Sequence, residues 1–134
     1  MQKLIIIRGL PGSGKSTFAK TIKSDTSVHL EADMFFYKDT GNYDFNIELL
    51  HHAHRWCLNT AKIFLRQGKD VIVSNTFTQW KEMSDYIKFA KTLNIPIEIK
   101  TMSTQFKSIH DVPDDVMIKM KNRFESHEEI IRRI

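Results

Sequence analysis

The sequence predicts a three-layer α/β fold, with a mostly parallel sheet of about four strands and helices on both faces. Three observations predict it. Short aliphatic runs alternate with longer stretches whose apolar residues recur at helical spacing, the order expected of βαβ units. The first run, Leu4-Ile5-Ile6-Ile7, has no polar face, which suits a strand buried on both sides. A glycine-rich segment from Gly9 to Ser16 then separates that strand from a helix. In such a sheet the ligand site lies beyond the C-terminal ends of the strands.

The elements follow in order. A helix is expected from about Lys15 to Lys23, then a shorter strand at Val28-His29-Leu30-Glu31, with Asp33 just past its end. From Asn46 to Gln67 apolar residues recur at Ile47, Leu50, Ala53, Cys57, Ala61, Phe64 and Leu65, which predicts the longest helix, ended by Gly68. Val71-Ile72-Val73 is a second fully aliphatic strand, followed by a helix that presents Trp80, Met83, Ile87 and Ala90 on one face. Asn94 and Pro96 stop that helix. Ile97 to Met102 alternates and suits a strand nearer the sheet edge. Pro113 opens a last helix with Asp114 and Asp115 in its first turn, where carboxylates complement the helix dipole. Ser126-His127-Glu128-Glu129 has the pattern of a capping box, so the helix is expected to break and restart there.

Bulk properties bound the function. At 134 residues, with 41% hydrophobic and 27% charged residues, the chain is expected to form a single domain spanning 1–134. No apolar run approaches the roughly 20 residues of a membrane span and no signal-peptide pattern opens the chain, so a cytoplasmic protein is expected. Cys57 is the only cysteine, which excludes an internal disulfide and a cysteine-based zinc site. The net charge of +4 permits anionic partners, but no dense block of Lys and Arg marks a nucleic-acid surface.

Gly9-Leu10-Pro11-Gly12-Ser13-Gly14-Lys15-Ser16 fills every position of the G-x-x-x-x-G-K-[ST] pattern between a strand and a helix. Glycines let the backbone wrap closely round phosphate oxygens, with N–H groups and the helix N-terminus facing the anion. Nucleotide contact is therefore assigned to Gly9, Pro11, Gly12, Ser13, Gly14, Lys15, Ser16 and Thr17. Lys15 should reach the β and γ phosphates of ATP, and Ser16 should give its hydroxyl to Mg²⁺. The predicted fold is thus of the P-loop NTPase and kinase type. No N-K-x-D guanine-reading motif is present, and the strand Val71-Ile72-Val73 ends in Ser74 where a classical ATPase places its Walker-B Asp. A small phosphotransferase is the best fit.

Asp33 follows Lys15 by one helix and one strand, which brings it to the same sheet edge as the phosphate loop. A carboxylate there can accept the proton of an acceptor hydroxyl, or hold a water of the Mg²⁺ shell. Lys15 and Asp33 are the candidate catalytic residues. The next segment, Met34 to Phe45, is rich in aromatic residues without regular periodicity. Two readings stand side by side: an acceptor-binding flap whose rings stack on a base or sugar, or Phe35, Phe36 and Phe45 folding onto the core with only Tyr37 and Tyr43 wet.

The blocks Ile6 to Thr17, Glu31-Ala32-Asp33-Met34-Phe35-Phe36, Ala53-His54-Arg55-Trp56-Cys57, Val71 to Thr78 and Ile109-His110-Asp111-Val112-Pro113 together resemble small AAA-type ATP-binding proteins related to the 5′-kinase domain of phage polynucleotide kinase. The resemblance covers roughly residues 3 to 125. It implies Asp33 as general base and Lys15 and Ser16 as phosphate and metal contacts. The chain departs from that kinase at Phe36, where an Arg contacts the nucleic-acid phosphate, and at Ser74, where the block carries an Asp. A lid is expected over 104–113, which offers Lys107 and His110 in place of the kinase's arginines, with Arg123 further on.

The acceptor expected from these features is a hydroxyl, with the 5′-OH of a polynucleotide or nucleoside as one candidate and a small alcohol as another. The rival reading is a non-catalytic ATP-binding or ATPase module acting through a protein partner. His51, His52 and His54 invite a metal reading, but at about 100° per residue His52 and His54 point roughly 160° apart and cannot share one ion. His54 falls on the apolar helix face, either as a buried histidine or as a group turned toward the site.

Overall fold

The computed structural model describes residues 2–37, 41–103 and 112–134. Its centre is a four-stranded sheet in the order β2-β3-β1-β4, with every pair parallel. β1 (Leu4–Arg8) is buried along its whole length, as its unbroken aliphatic run requires. β3 (Asp70–Asn75) lies beside it, while β2 (Ser27–Leu30) and β4 (Ile97–Thr101) form the edges. β4 alternates between half-buried and exposed residues, as its period-two pattern predicts.

Alternate residues of the central strands feed two cores. Leu4, Ile6, Val71 and Val73 pack against α2 (Leu50–Arg66), α3 (Trp80–Thr92) and Ile130 of α5 (His127–Arg133). Ile5, Ile7 and Ile72 face the other way, onto Ala19 and Phe18 of α1 (Lys15–Ile22). Helices therefore cover both faces, with Cys57 fully buried in the larger core. α4 (Asp114–Arg123) starts directly after Pro113, and Ser126 and Glu129 form the expected reciprocal cap of α5.

One boundary differs by more than two residues. The apolar stripe from Asn46 predicts a single helix, but Ile47–Leu49 forms a 3-10 turn and the α-helix begins at Leu50. Asn46 caps that turn by accepting from the Glu48 N–H at 3.0 Å, and Ile47 remains 71% exposed. With its first apolar residue in solvent, the stripe gives the first turn no packing to hold it as α-helix. Of the predicted lid, Val112 and Pro113 are described; Lys107 and His110 lie outside the described residues.

Arg8 ties the C-terminal helices to the sheet. It is fully buried at the end of β1, where Nε donates to Phe77 O at 2.9 Å and Nη2 to Glu125 O at 2.6 Å and Thr78 O at 3.3 Å. Its guanidinium lies 4.2 Å from the centre of the Phe124 ring. Burial pulls its pKa down while Glu125, Glu82 and Glu129 oppose the shift. Arg8→Met keeps the stem but leaves these carbonyls unpaired, so it is expected to cost about 3 kcal/mol or more. Thermal unfolding should show a loss on the order of 10 °C, and a change within about 2 °C would show that the interactions are not structural.

Candidate functional site

The C-terminal ends of the strands gather the site. Gly9 follows β1 directly, and its N–H donates to Thr76 O at 3.2 Å, which fixes the start of the phosphate loop to the end of β3. A Cβ on Gly9 would stand 2.5 Å from Ser13 Oγ and 3.0 Å from Met102 Cβ, so the first glycine is required for close packing. Gly12 and Gly14 have φ of 81° and 89°, the left-handed region that glycine enters without a steric penalty. Gly14 caps α1, whose first residues are Lys15, Ser16 and Thr17.

The loop has the form of an anion cradle. The Lys15 ammonium donates to Leu10 O at 3.0 Å. Burial pushes its pKa down to about 8, with Glu31 opposing the shift. A phosphate beside Lys15 restores the preference for its charged form. Ser13 Oγ is buried with no hydrogen-bond partner among the described residues. Thr17 is exposed on α1, and Pro11 is half-buried in the loop. Gly9→Ala forces the loop away from Met102 and Ser13 while Thr76 holds its backbone. The variant is expected to lose at least about tenfold in nucleotide affinity and to destabilise the fold by about 1–3 kcal/mol. Calorimetric titration and thermal unfolding check both effects.

Two carboxylates stand next to the cradle, and sequence reasoning assigned a role to only one. Asp33 lies in a 3-10 turn, Ala32–Phe36, that continues from β2. Its Oδ1 accepts the Tyr43 hydroxyl at 2.5 Å. Tyr43 is placed there by an antiparallel bridge to Tyr37 and by Asp44 N–H donating to Phe36 O at 2.9 Å. Burial and the Asp33 contact push the Tyr43 phenol well above its ordinary range, so it donates and does not ionise.

The second carboxylate, Glu31, has both oxygens 2.8 Å from Ser16 Oγ. Its pKa is raised, chiefly by burial and further by the Asp33 charge, while Ser16 and Lys15 oppose the shift. Behind it, His29 Nε2 lies 3.4 Å from Glu31 Oε1 and 2.7 Å from Ser74 Oγ. Asn75 Oδ1 accepts from the Ala32 N–H at 2.9 Å, which joins this turn to β3. Ser74 and Asn75 thus hold the neighbouring strand's residues in place. Ser74, standing where a classical ATPase has an Asp, is the local sign that could have pointed to a carboxylate supplied from another strand.

Other candidates lie apart from the cradle. Arg123 Nε donates to the Thr78 hydroxyl at 3.1 Å, beside the Arg8 network. His54 is exposed in a groove with His51, Arg55, Lys81, Glu82 and Asp85, so it is not a core histidine. The aromatic segment divides: Phe36 is buried against Phe45 and Tyr43, whereas Phe35, Tyr37 and Phe45 keep exposed faces. The reading that folded Phe35, Phe36 and Phe45 onto the core with Tyr37 and Tyr43 wet therefore holds for Phe36 and Tyr37, while Tyr43 is half-buried against the core.

A family model described as an AAA domain matches residues 4–110. NEDD4-binding protein 2 of Homo sapiens is 31% identical over 134 residues, which covers 91% of this chain and 8% of that protein. The chain thus spans less than a tenth of that relative. A chain of the Pnkp1/Rnl/Hen1 complex superposes with a TM-score of 0.61 at 24% identity, over 88% of this chain and 38% of that one. The Mycobacterium tuberculosis APS kinase CysC superposes with a TM-score of 0.60 at 16% identity, over 93% of this chain and 98% of that one. These superpositions show a shared fold.

Proposed function

Because this chain belongs to the AAA domain family, with the fold of small P-loop kinases, we propose that it binds ATP and transfers the γ-phosphate to an acceptor hydroxyl. The observation that carries this reading is the Gly9–Ser16 loop closed round a half-buried Lys15 at the end of β1, with Asp33 at the same sheet edge. The neighbours with this fold include an APS kinase and a gluconokinase, which supports phosphoryl transfer as the reaction class. Phosphoryl transfer asks little covalent chemistry of the protein beyond positioning and charge stabilisation.

In this reading the loop N–H groups and Lys15 would hold the phosphates, and the Ser16 hydroxyl would hold Mg²⁺, which would supply charge neutralisation at the phosphates. Asp33 accepts the acceptor proton, oriented by the Tyr43 hydroxyl at its Oδ1. The exposed faces of Tyr37 and Phe45 next to Tyr43 suit a ring-bearing acceptor such as a nucleoside or a polynucleotide end. Phe36 is buried among rings, so it supplies neither charge nor contact for a terminal phosphate. The test is incubation with γ-labelled ATP and a panel of DNA, RNA, nucleosides and small alcohols. A labelled product supports the kinase.

A second reading is a nucleotide-binding module that acts through a protein partner. The exposed apolar side chains at Phe45, Ile47, Leu49 and Leu50, all within six residues of chain, favour it, because exposed apolar surface concentrated in one segment suits a binding partner. ATP binding with no labelled product from any acceptor would decide for the module.

A further inference from the structure

We propose that Glu31 supplies the carboxylate of the magnesium shell, so that this acidic group stands at the end of β2 and not at the end of β3. The proposal rests on the nucleotide-binding reading and adds a residue to it. Ser16 closes the phosphate loop with its hydroxyl, and both oxygens of Glu31 lie 2.8 Å from that hydroxyl. A hydroxyl beside a carboxylate is a hard-oxygen donor pair. Such a pair suits Mg²⁺, which takes one or two protein oxygens, keeps several waters and bridges phosphates.

The surroundings of Glu31 fix its position. His29, with its side chain only 7% exposed, stands between Glu31 and Ser74. The next backbone N–H, that of Ala32, is held by Asn75. The short polar residues at the end of β3 thus brace the carboxylate on β2. A serine at position 74 could not itself provide the negative charge.

The charge balance points the same way. Glu31 and Asp33 stand two residues apart at the end of β2, so two carboxylates share the edge of the cradle. ATP brings further negative charge to the same place. Lys15 and Lys20 offset part of this charge, and a divalent ion held by Glu31 and Ser16 would offset more of it.

The alternative is that Glu31 serves only as a hydrogen-bond acceptor that fixes the Ser16 rotamer. Glu31→Gln separates the two, because it keeps shape and an acceptor oxygen but removes the charge. Binding of a fluorescent, non-hydrolysable ATP analogue is measured with EDTA and across a Mg²⁺ series, and Mn²⁺ binding to the ADP complex is followed by electron paramagnetic resonance. In EDTA the variant should bind the analogue as tightly as wild type or more tightly, since a repelling charge is gone. The gain in affinity on adding Mg²⁺ should shrink at least about tenfold, and the Mn²⁺ half-saturation point should rise by a similar factor. Glu31→Asp, which keeps the charge on a shorter stem, should fall between the two.

An undiminished Mg²⁺ gain in Glu31→Gln overturns the proposal and leaves nucleotide binding intact. The proposal also fails if Asp33→Asn removes the gain while Glu31→Gln keeps it. A wild type that ignores the analogue at every Mg²⁺ concentration overturns the nucleotide reading, and this assignment with it.

Discussion

Replacing Asp33 with Asn is expected to cut phosphoryl transfer by about two to four orders of magnitude while leaving ATP affinity within a few fold. The substitution is well suited to the geometry. The Tyr43 hydroxyl donates to Oδ1 of Asp33, and an Asn side-chain oxygen can accept the same bond, so the turn from Ala32 to Phe36 keeps its shape. The variant loses a carboxylate that can take a proton. A group whose role is confined to the transition state lowers kcat and kcat/KM together, without a compensating change in nucleotide affinity. Single-turnover transfer from γ-labelled ATP, with affinity measured separately, checks both halves. Full activity in Asp33→Asn would move the base elsewhere, with Asp44 and Asp39, the latter outside the described residues, next in line. A change confined to Mg²⁺ or ATP binding would make Asp33 part of the metal shell and favour the module reading.

Lys15→Ala is expected to weaken nucleotide binding by at least about 30-fold, because a charge-assisted contact to phosphate contributes about 2 kcal/mol or more. Its effect on the empty protein should be small and of the opposite sign to that of an ordinary core truncation. Burial pushes the Lys15 pKa down to about 8 from 10.5, so the charged ammonium is costly in the folded state. Between these values the unfolded chain binds the proton that the folded chain has lost, and stability contributed by this group rises with pH across that window. Removing Lys15 therefore should not lower the melting temperature. ATP with Mg²⁺ at about 100 times its Kd stabilises a binding protein by about 2.7 kcal/mol, which appears as a rise in melting temperature of several degrees. Wild type should show that rise and Lys15→Ala should lose it. A wild type whose melting point ignores ATP would refute nucleotide binding.

The sheet and the cradle were legible in the sequence because each is encoded locally. Leu4 to Ile7 and Val71 to Val73 have no polar face, which only a strand covered on both sides satisfies. Gly9, Gly12 and Gly14 are required by a close approach and two positive φ values, so the motif spells out its own backbone. Asp33 could be placed at the site edge by counting elements, because parallel strands deliver their C-terminal ends to one side.

What stayed hidden depends on pairs distant in sequence. Nothing local tells that Glu31 turns onto Ser16, or that His29 bridges Glu31 and Ser74; adjacency of β2 and β3 creates those contacts. Arg8 reads as a charged residue preceding a loop, yet the fold buries it under Phe124 and the Glu125 carbonyl from the far end of the chain. The aromatic segment has no period from which exposure can be read, so only the packing of Phe36 against Phe45, Tyr43 and the core separates the buried ring from the wet ones. The order of elements, the glycine-rich loop and the sheet edge shared by that loop and Asp33 were written in the sequence alone, since backbone sterics and hydrophobic period act over a few residues. Tertiary structure alone decided which carboxylate meets Ser16, which hydroxyl orients Asp33 and which charge is buried, since hydrogen bonds and desolvation are set by neighbours that folding brings together.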